Sequence, residues 1–180
     1  MSTHYPAPTG SQQINRHTLC VIVDNEPGVL ARISGMFSGR GYNIESLTVS
    51  ETEHEKHLSR ITICTAGTEH VIEQIRNQLE RLVPVHGVID LTAQGDAIER
   101  ELALVKVTGT GEDRVEALRL AGAFGARTLD ATRNSFIFEL TGASEEIERF
   151  VRLMTEVGLS EVSRTGVAAI GRGAKPMDAR

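Results

Sequence analysis

Tryptophan is absent from the 180 residues of the chain, and only two tyrosines and five phenylalanines are present. Basic residues are also few, because 19 lysines and arginines face 24 acidic residues and the formal net charge is −5 at pH 7. A chain of that charge offers no electrostatic basis for binding nucleic acid or an anionic membrane. No apolar run approaches the ~18 residues that a membrane-spanning helix needs. The composition therefore favours a soluble globular protein with neither of these partners.

Cysteine is scarce as well, since Cys20 and Cys64 are the only two. Both lie in short apolar runs that are typical of strands. This placement predicts two buried free thiols in a reducing cytoplasm, with a disulfide or redox pair as the alternative. Residues 1–16 lack the apolar core of a signal peptide and predict a disordered lead. We therefore expect a cytoplasmic protein.

A β-α-β-β-α-β order of elements is predicted over residues 17–94. After the first strand, Leu30, Ile33 and Phe37 recur at helical spacing as one buried stripe. The strands are predicted at 17–24, 42–50, 58–66 and 84–92, and the helices at 28–40 and 69–82. This order is typical of a ferredoxin-like α/β sandwich, in which two helices cover one face of a four-stranded antiparallel sheet.

The same order recurs over residues 98–172, although its first helix has a weaker apolar stripe. The predicted fold class is α+β, with two ferredoxin-like sandwiches in tandem and a tail at 173–180. Helices cover only one face of each sheet, whereas Ile, Leu and Val occur on both phases of the strands. An uncovered apolar sheet face or edge usually finds a partner. We therefore expect a homodimer whose N-terminal sheets lie side by side or face to face.

The turn DNEPG at residues 24–28 allows two interpretations. In the first it is only a helix cap, since Asn25 suits the N-cap and Pro27 suits the first turn. In the second, Gly28 leaves the free N–H groups of the first turn open to an anion. The acidic Asp24 and Glu26 disfavour a phosphate and favour a small zwitterion such as an amino acid. Asn43, which follows the helix, is open to the same two interpretations.

Other motifs predict no chemistry. In VTGTGEDR (107–114) an arginine, Arg114, stands where a dinucleotide-binding loop needs its third glycine. Glu53, His54, Glu55 and His57 lie in a charged loop without a fixed ligand geometry, so a solvated loop is preferred over a metal site. The chain shows no nucleophile or metalloprotease motif. We expect no catalytic residue and no metal site on this chain.

Longer stretches carry a family resemblance. LCVIVDNEPGVLARISGMFSGRGYNIESLTV, followed by LSRITI, resembles the ACT domain of the small, regulatory subunit of acetolactate synthase (acetohydroxyacid synthase). ERELALVKV, GASEEIERF and EVSRTGVAAIGRG resemble the C-terminal domain of the same subunit. The similarity runs from Thr18 to Gly173. It divides the chain into an ACT domain at 17–94 and a C-terminal ferredoxin-like domain at 98–172.

The resemblance implies a homodimer that holds a feedback inhibitor, usually valine, between paired ACT domains, with leucine or isoleucine as alternatives. Carried over by motif position, Asn25, Gly28, Val29 and Leu30 would line the backbone groups of the effector. Asn43 and Ile44 would approach from the partner chain. The resemblance also implies a large catalytic subunit as partner, on which thiamine diphosphate, Mg and FAD are expected. This chain is expected to hold no cofactor. The one departure from the family pattern is Pro27, and it fits a helix start.

Two rival hypotheses remain at the level of sequence. The first is a stand-alone ACT amino-acid sensor that acts on a different partner, for which a fused effector module would be the discriminating feature. The second is an enzyme with a ferredoxin-like fold, for which an acid, base or metal constellation would be needed. The chain shows neither a helix-turn-helix nor a basic face nor such a constellation.

Overall fold

Two antiparallel sheets with their helices form the part of the chain that the computed structural model describes, residues 13–53, 57–95 and 97–177. The strands are β1 (Asn15–Asp24), β2 (Ser46–Glu53), β3 (Leu58–Gly67), β4 (Val85–Asp90), β5 (Ala97–Thr108), β6 (Arg127–Ala131), β7 (Ser135–Gly142), β8 (Leu159–Arg164) and β9 (Ala168–Gly171). The helices are α1 (Val29–Gly39), α2 (Glu69–Glu80), α3 (Leu91–Gln94), α4 (Gly111–Ala123) and α5 (Ser144–Thr155). The predicted α+β class with two sandwiches is confirmed.

The first sheet has the strand order β2-β3-β1-β4, which leaves β2 and β4 at its edges. Alternate residues of β1, beginning with Leu19 and Val21, face α1 and α2 in one apolar core. The largest buried side chains of this core include Phe37, Ile33, Ile61, Ile63, Ile75 and Leu79. The period of two in the strands and of 3.6 in the helices explains why these residues meet on one side of the sheet.

The stripe of α1 differs from the predicted one at a single residue. Ile33 and Phe37 are buried as predicted, together with Val29 and Met36. Leu30, however, is 42% exposed. Its predicted place in the core is wrong. Val29 occupies the core-facing position at the start of the helix, so the side chain of Leu30, the next residue, lies toward solvent.

Two predicted strands of the first sheet have different limits. β2 begins at Ser46 rather than at residue 42. β4 ends at Asp90 because the Asp90 side chain accepts a hydrogen bond from the N–H of Ala93 at 3.1 Å and starts the one-turn helix α3. In contrast, β1 begins earlier than predicted: Asn15 and Arg16 belong to it and not to a disordered lead.

The second sheet has the order β6-β7-β5-β8, with β9 paired to the first residues of β5. Its core contains Val105, Phe138, Ile147 and Phe150 between the sheet and the helices α4 and α5. The weak stripe of α4 is explained by its buried residues, which are small. The repeated element order predicts a single closing strand, but the structure has two, β8 and β9, separated at Gly166, whose φ is +82°.

The segment Gly166–Gly171, here called the C-terminal strap, crosses the helix-free face of the first sheet. Thr48 Oγ1 donates to the carbonyl oxygen of Val167 at 2.9 Å, and the N–H of Val167 donates to Ser46 Oγ at 2.9 Å. The central strand of this sheet is accordingly buried on both faces, with every residue from His17 to Val23 inaccessible or nearly so. The predicted uncovered face is therefore wrong for the first sheet, because the same chain covers it.

Both cysteines lie on this covered face and are free thiols, as predicted. Thr18 Oγ1 and Cys64 Sγ are 3.5 Å apart, and burial raises the pKa of the Cys64 thiol. Cys20 Sγ lies 3.1 Å from Nη2 of Arg60. The face thus consists mainly of serine, threonine and cysteine side chains that contact one another and the strap.

An ionic cluster lies where the two sandwiches meet. Arg164 donates two hydrogen bonds of 2.7 Å to the carboxylate of Glu101, which is 5% exposed, and a third of 2.9 Å to Glu148. Arg16 contacts Glu45 at 3.2 Å within the first sandwich, and its Nη2 donates to Ser144 Oγ of the second sandwich at 3.4 Å. The hydrogen bonds from Arg164 lower the pKa of Glu101 below its ordinary value of 4.5, although partial burial opposes the shift.

Residues 1–12, 54–56, 96 and 178–180 lie outside the described part of the chain, and with them most of the predicted lead, the centre of the charged loop and the end of the tail. Among the helices of the described part, none is long and apolar enough to span a membrane.

Gly158 provides a test of the second sandwich. Its φ is +96°, and a Cβ added there would lie 2.2 Å from the carbonyl oxygen of Thr108. Gly158→Ala is expected to lower the free energy of unfolding by about 2 kcal/mol or more, since it adds a backbone strain and a clash with main-chain atoms. Urea denaturation followed by circular dichroism measures the change.

Gly122→Ala is the matched control for that variant. Gly122 lies in α4, and an added Cβ would contact nothing within 4 Å. Alanine in a helix is favoured over glycine by about 0.5–1 kcal/mol, so this variant should be as stable as the parent or more stable. Equal destabilisation of both variants would contradict the described backbone at Gly158.

The Glu101–Arg164 pair gives a pH-dependent prediction. A carboxyl whose pKa is lower in the folded than in the unfolded state stabilises the fold above the unfolded pKa, and this stabilisation is lost as pH falls through the folded pKa. Glu101→Gln should therefore lower the unfolding midpoint at neutral pH, and the difference from the parent should shrink as pH falls below 4.5, the ordinary value for this carboxyl. Thermal unfolding across pH 3–7 tests this.

The control is Glu116→Gln, which removes an exposed pair within α4. Glu116 accepts from Arg119, but both side chains lie in solvent. Exposed pairs contribute little, so its midpoint should stay close to that of the parent at every pH. A constant offset between Glu101→Gln and the parent at all pH values would count against the ionised pair.

Candidate functional site

The turn Asn25–Gly28 is exposed at the end of β1, and hydrogen bonds hold it from two sides. The N–H of Asp24 donates to the carbonyl oxygen of Pro84 at 2.9 Å, and the N–H of Asn25 donates to that of His57 at 2.7 Å. Nε2 of His86 lies 2.6 Å from Oδ1 of Asp24. The turn is therefore fixed against the neighbouring strands β3 and β4 before α1 begins.

Gly28, and not Asn25, is the N-cap of α1. Its φ of 90° is in the left-handed region that favours glycine, and no side chain caps the helix. Within the described residues, the side chain of Asn25 makes no hydrogen bond. The interpretation of Asn25 as a capping residue is therefore wrong, and its amide group is available to a ligand.

The first turn of α1 has unused N–H groups. The N–H of Arg32 donates to the carbonyl oxygen of Gly28 at 3.0 Å, and that of Val29 makes a longer bond of 3.4 Å to Glu26. Across the described ranges, the N–H groups of Gly28, Leu30 and Ala31 find no acceptor. Unpaired N–H groups at a helix start carry partial positive charge and attract carboxylates.

The two apolar residues of the predicted site differ in accessibility. Val29 is 5% exposed, since its side chain packs into the core of the first sandwich. It can offer a ligand only its backbone. Leu30 projects from the same turn and is 42% exposed, so its side chain can contact a ligand or another chain.

Asn43 and Ile44 lie in the segment between α1 and β2. Thr65 Oγ1 donates to the carbonyl oxygen of Asn43 at 2.7 Å, and the N–H of Glu45 donates to that of Cys64 at 2.9 Å. These bonds fix the backbone to β3. The side chain of Asn43 is exposed, whereas Ile44 is partly buried against the core.

The two halves of the predicted site lie at opposite ends of the first sheet. Asn43 contacts Thr65, which pairs with His17 near the beginning of β1. The turn follows Asp24 at the other end of that strand. At about 3.3 Å per residue, the two ends are separated by roughly 20 Å. Within one chain, the structure therefore does not bring Asn43 and Ile44 to the turn.

Two features near the site carry no recognisable motif in the sequence. His86, which lies beside Asp24, could be identified in the sequence only as one residue of a predicted strand. The contacts of Ser46 and Thr48 with Val167 of the strap join residues that are 121 and 119 positions apart in the sequence. No local pattern predicts such contacts. Within the described ranges, no group of three or more His, Cys, Asp or Glu side chains is placed to hold a metal.

Comparison with known proteins gives two family matches that together span most of the chain. Residues 19–87 match the model of the AHAS small subunit-like ACT domain, and residues 100–173 match the model of the small subunit of acetolactate synthase. A probable acetolactate synthase small subunit from Archaeoglobus fulgidus is 44% identical over 160 residues, which are 89% of this chain and 99% of the relative.

A further relative and a solved structure are small subunits of the same enzyme. The acetolactate synthase isozyme 3 small subunit of Escherichia coli is 43% identical over 163 residues, with 90% of this chain and 99% of the relative covered. The crystal structure of the acetolactate synthase small subunit from Thermotoga maritima superimposes with a TM-score of 0.80 at 36% identity, over 89% of this chain and 99% of that chain. The similarity thus extends over both sandwiches.

Proposed function

The chain belongs to the family of acetolactate synthase small subunits, and we propose that a branched-chain amino acid, bound between two of its copies, regulates the catalytic subunit of that enzyme. As a member of the family, the chain is a regulatory subunit of acetolactate synthase in branched-chain amino-acid biosynthesis. A large catalytic subunit is its implied partner. The proposal adds the effector, the dimer and the route of regulation.

The catalytic chemistry belongs to the partner in this proposal. Thiamine diphosphate, Mg and FAD are assigned to the large subunit in a cytoplasmic complex. The residues at the opening turn supply N–H groups and amides but no nucleophile. Activation and feedback inhibition then arise from how this chain fits the catalytic subunit.

One observation carries the dimer proposal: Asn43 and the opening turn lie at opposite ends of one sheet. β2 is an edge strand, and among the strands that the structure describes only β3 pairs with it. When two β2 strands pair antiparallel around a two-fold axis, the start of β2 in one chain lies beside the end of β2 in the other. Asn43 and Ile44 of the partner then come to the end of the sheet where Asn25–Gly28 lies. Two sites form that no single chain contains.

Exposed apolar residues support this arrangement. Val49 on the edge strand β2 is 47% exposed and Leu30 on α1 is 42% exposed. Apolar side chains on an open strand edge favour pairing with another chain. Antiparallel pairing of the two edges would cover both. It would also extend the first sheet from four strands to eight, side by side, as one of the two arrangements expected from the sequence.

The chemistry of the turn suits an amino acid. The free N–H groups of Gly28, Leu30 and Ala31 fit its carboxylate. The side-chain amide of Asn25 and that of the partner's Asn43 supply further donors and acceptors, and the carboxylates of the turn favour an ammonium group over a second anion. Leu30 and Ile44 of the two chains offer apolar contacts to a branched side chain, with valine as the proposed effector.

A direct connection runs from the site to the second sandwich. Ile44 lies two residues before β2. Ser46 and Thr48 on β2 form hydrogen bonds with Val167 of the strap. The strap begins two residues after Arg164, which ends β8 and belongs to the ionic cluster. A ligand that prefers one position of β2 therefore also prefers one position of the strap. A tenfold change in the partner's response requires only about 1.4 kcal/mol of coupling.

Asn25→Ala and Asn43→Ala should each weaken valine binding by tenfold or more, because each removes an amide from the same composite site. Titration calorimetry of the full chain with valine, and with leucine and isoleucine for comparison, measures the affinity. The control is Asn77→Ala, at an exposed position of α2, which should bind valine as the parent does. Gly28→Asp should also abolish binding, through repulsion of the effector's carboxylate and through strain at a φ of +90°.

Mixed dimers distinguish a site between chains from a site within one chain. Co-expression of Gly28→Asp and Asn43→Ala chains yields dimers in which one site carries both defects and the other carries none. These purified mixed dimers should recover half the valine capacity of the parent. A complete lack of binding in the mixed dimers, with normal dimer formation, would reject the composite site.

Gly166→Val tests the connection through the strap. A Cβ at Gly166 would lie 2.7 Å from Ser46 Oγ and 3.1 Å from Thr48 Cγ2, and the φ of +82° disfavours any side chain. We expect the variant to bind valine with nearly parental affinity but to transmit several-fold less inhibition in an assay with the catalytic subunit. Gly122→Ala is again the control. Unchanged inhibition by the Gly166→Val variant would exclude the strap as the route.

A further inference from the structure

A cavity of about 700 Å³ lies between the helix-free face of the first sheet and the tail that follows the strap. Ile22, Arg60 and Ile89 line it from the sheet, and Ile170, Arg172 and Lys175 line it from the strap and tail. Small-molecule sites typically have volumes of about 300–1,000 Å³ and largely apolar walls with a few polar groups. The cavity has this size, its wall combines isoleucine side chains with a larger share of polar groups, and it shares no residue with the proposed valine site.

The charged side chains among the described lining residues of the cavity are cationic. Arg60 and Lys175 are the two that the proposal uses, and among these lining residues there is no aspartate or glutamate. This is notable in a chain with a net charge of −5. Cations concentrated in a concave, partly apolar site focus the electrostatic potential and attract anions.

Arg60 is the residue that points most directly to a ligand. Its Nη2 contacts Cys20 Sγ at 3.1 Å, its Nε is buried, and Nε has no acceptor within the described residues. The structure shows no carboxylate paired with it in the described ranges. A guanidinium presents a planar set of donors that matches a carboxylate or phosphate, and partly buried arginines normally have such a partner.

The tail supplies the opposite wall. Gly173 has a φ of +85°, which turns the backbone after Arg172 and places Lys175 on the cavity. Lys175 is exposed and has no ion-pair partner among the residues that the structure describes. An anion between Arg60 and Lys175 would therefore contact both the sheet and the tail, with Ile22, Ile89 and Ile170 beside its apolar part.

We propose that this cavity is a second ligand site, which binds a small organic anion through a carboxylate or phosphate group held by Arg60 and Lys175. The site is separate from the opening turn and differs from it in chemistry, since it offers cations where the turn offers acids and amides. An occupant would fasten the tail to the face that the strap already covers.

The test is an NMR titration of the full chain labelled at isoleucine methyl groups, in a buffer of low chloride. The two probes are inorganic phosphate and 3-methylbutanoate, which carries a carboxylate and an apolar tail but no ammonium group. Saturable shifts at Ile22, Ile89 and Ile170 with either probe are expected. The probe that binds more tightly identifies the preferred anionic group.

Two variants decide whether the shifts report the proposed site. Arg60→Gln and Lys175→Gln should each weaken probe binding by tenfold or more. Arg152→Gln, at an exposed position in the last turn of α5, should leave it unchanged. Arg60→Gln removes a contact with Cys20 and could disturb the packing there. Lys175 lies on the exposed tail, so the Lys175→Gln variant tests whether the probes bind at the proposed site without that disturbance.

The proposal is overturned if neither probe gives saturable shifts at these methyl groups, or if both glutamine variants bind the probes as tightly as the parent. Valine titrations of the same variants keep the two sites apart. Lys175→Gln should bind valine normally, so loss of binding at one site can be distinguished from loss of binding at the other.

Discussion

The C-terminal strap joins the two sandwiches, because it belongs to the second half of the chain and packs on the helix-free face of the first sheet. Ser46 and Thr48 exchange hydrogen bonds with Val167, and Gly166 fits against them because it has no Cβ. Where the strap contacts it, the covered face presents the small side chains of Cys20, Ser46 and Thr48, which allows an extended backbone to approach closely. The position of β2 and the position of the second sandwich are therefore linked through side chains that a typical apolar sheet face would not provide.

The second constraint is that the two halves of the proposed site lie at opposite ends of the first sheet. Its strands place the free N–H groups of α1 at one end and Asn43 at the other. A ligand that needs both groups needs two chains. In the proposed regulatory mechanism, occupancy of the site would be coupled to the relation between two copies, because the ligand would contact groups from both chains.

Sequence patterns predicted the elements of both halves because helical and strand periods are local. Ile33 and Phe37 were identified from spacing alone, whereas Leu30 was assigned to the core because a stripe does not show which residue at its margin turns outward. Asn25 looked like a cap, but the backbone at Gly28 takes that position. The burial of both faces of β1 was beyond prediction, since the covering segment is far away in sequence.

The order in which the chain is made has a consequence for its first half. β4 ends at Asp90, but the strap that contacts Cys20 ends only at Gly171. At about 5–20 residues per second, a ribosome needs roughly 4–16 s to complete the intervening segment. During that interval a nascent first sandwich exposes the Cys20 thiol and an open β-sheet face to solvent. A newly synthesised chain is thus most exposed to oxidation and misassembly before its last strand emerges.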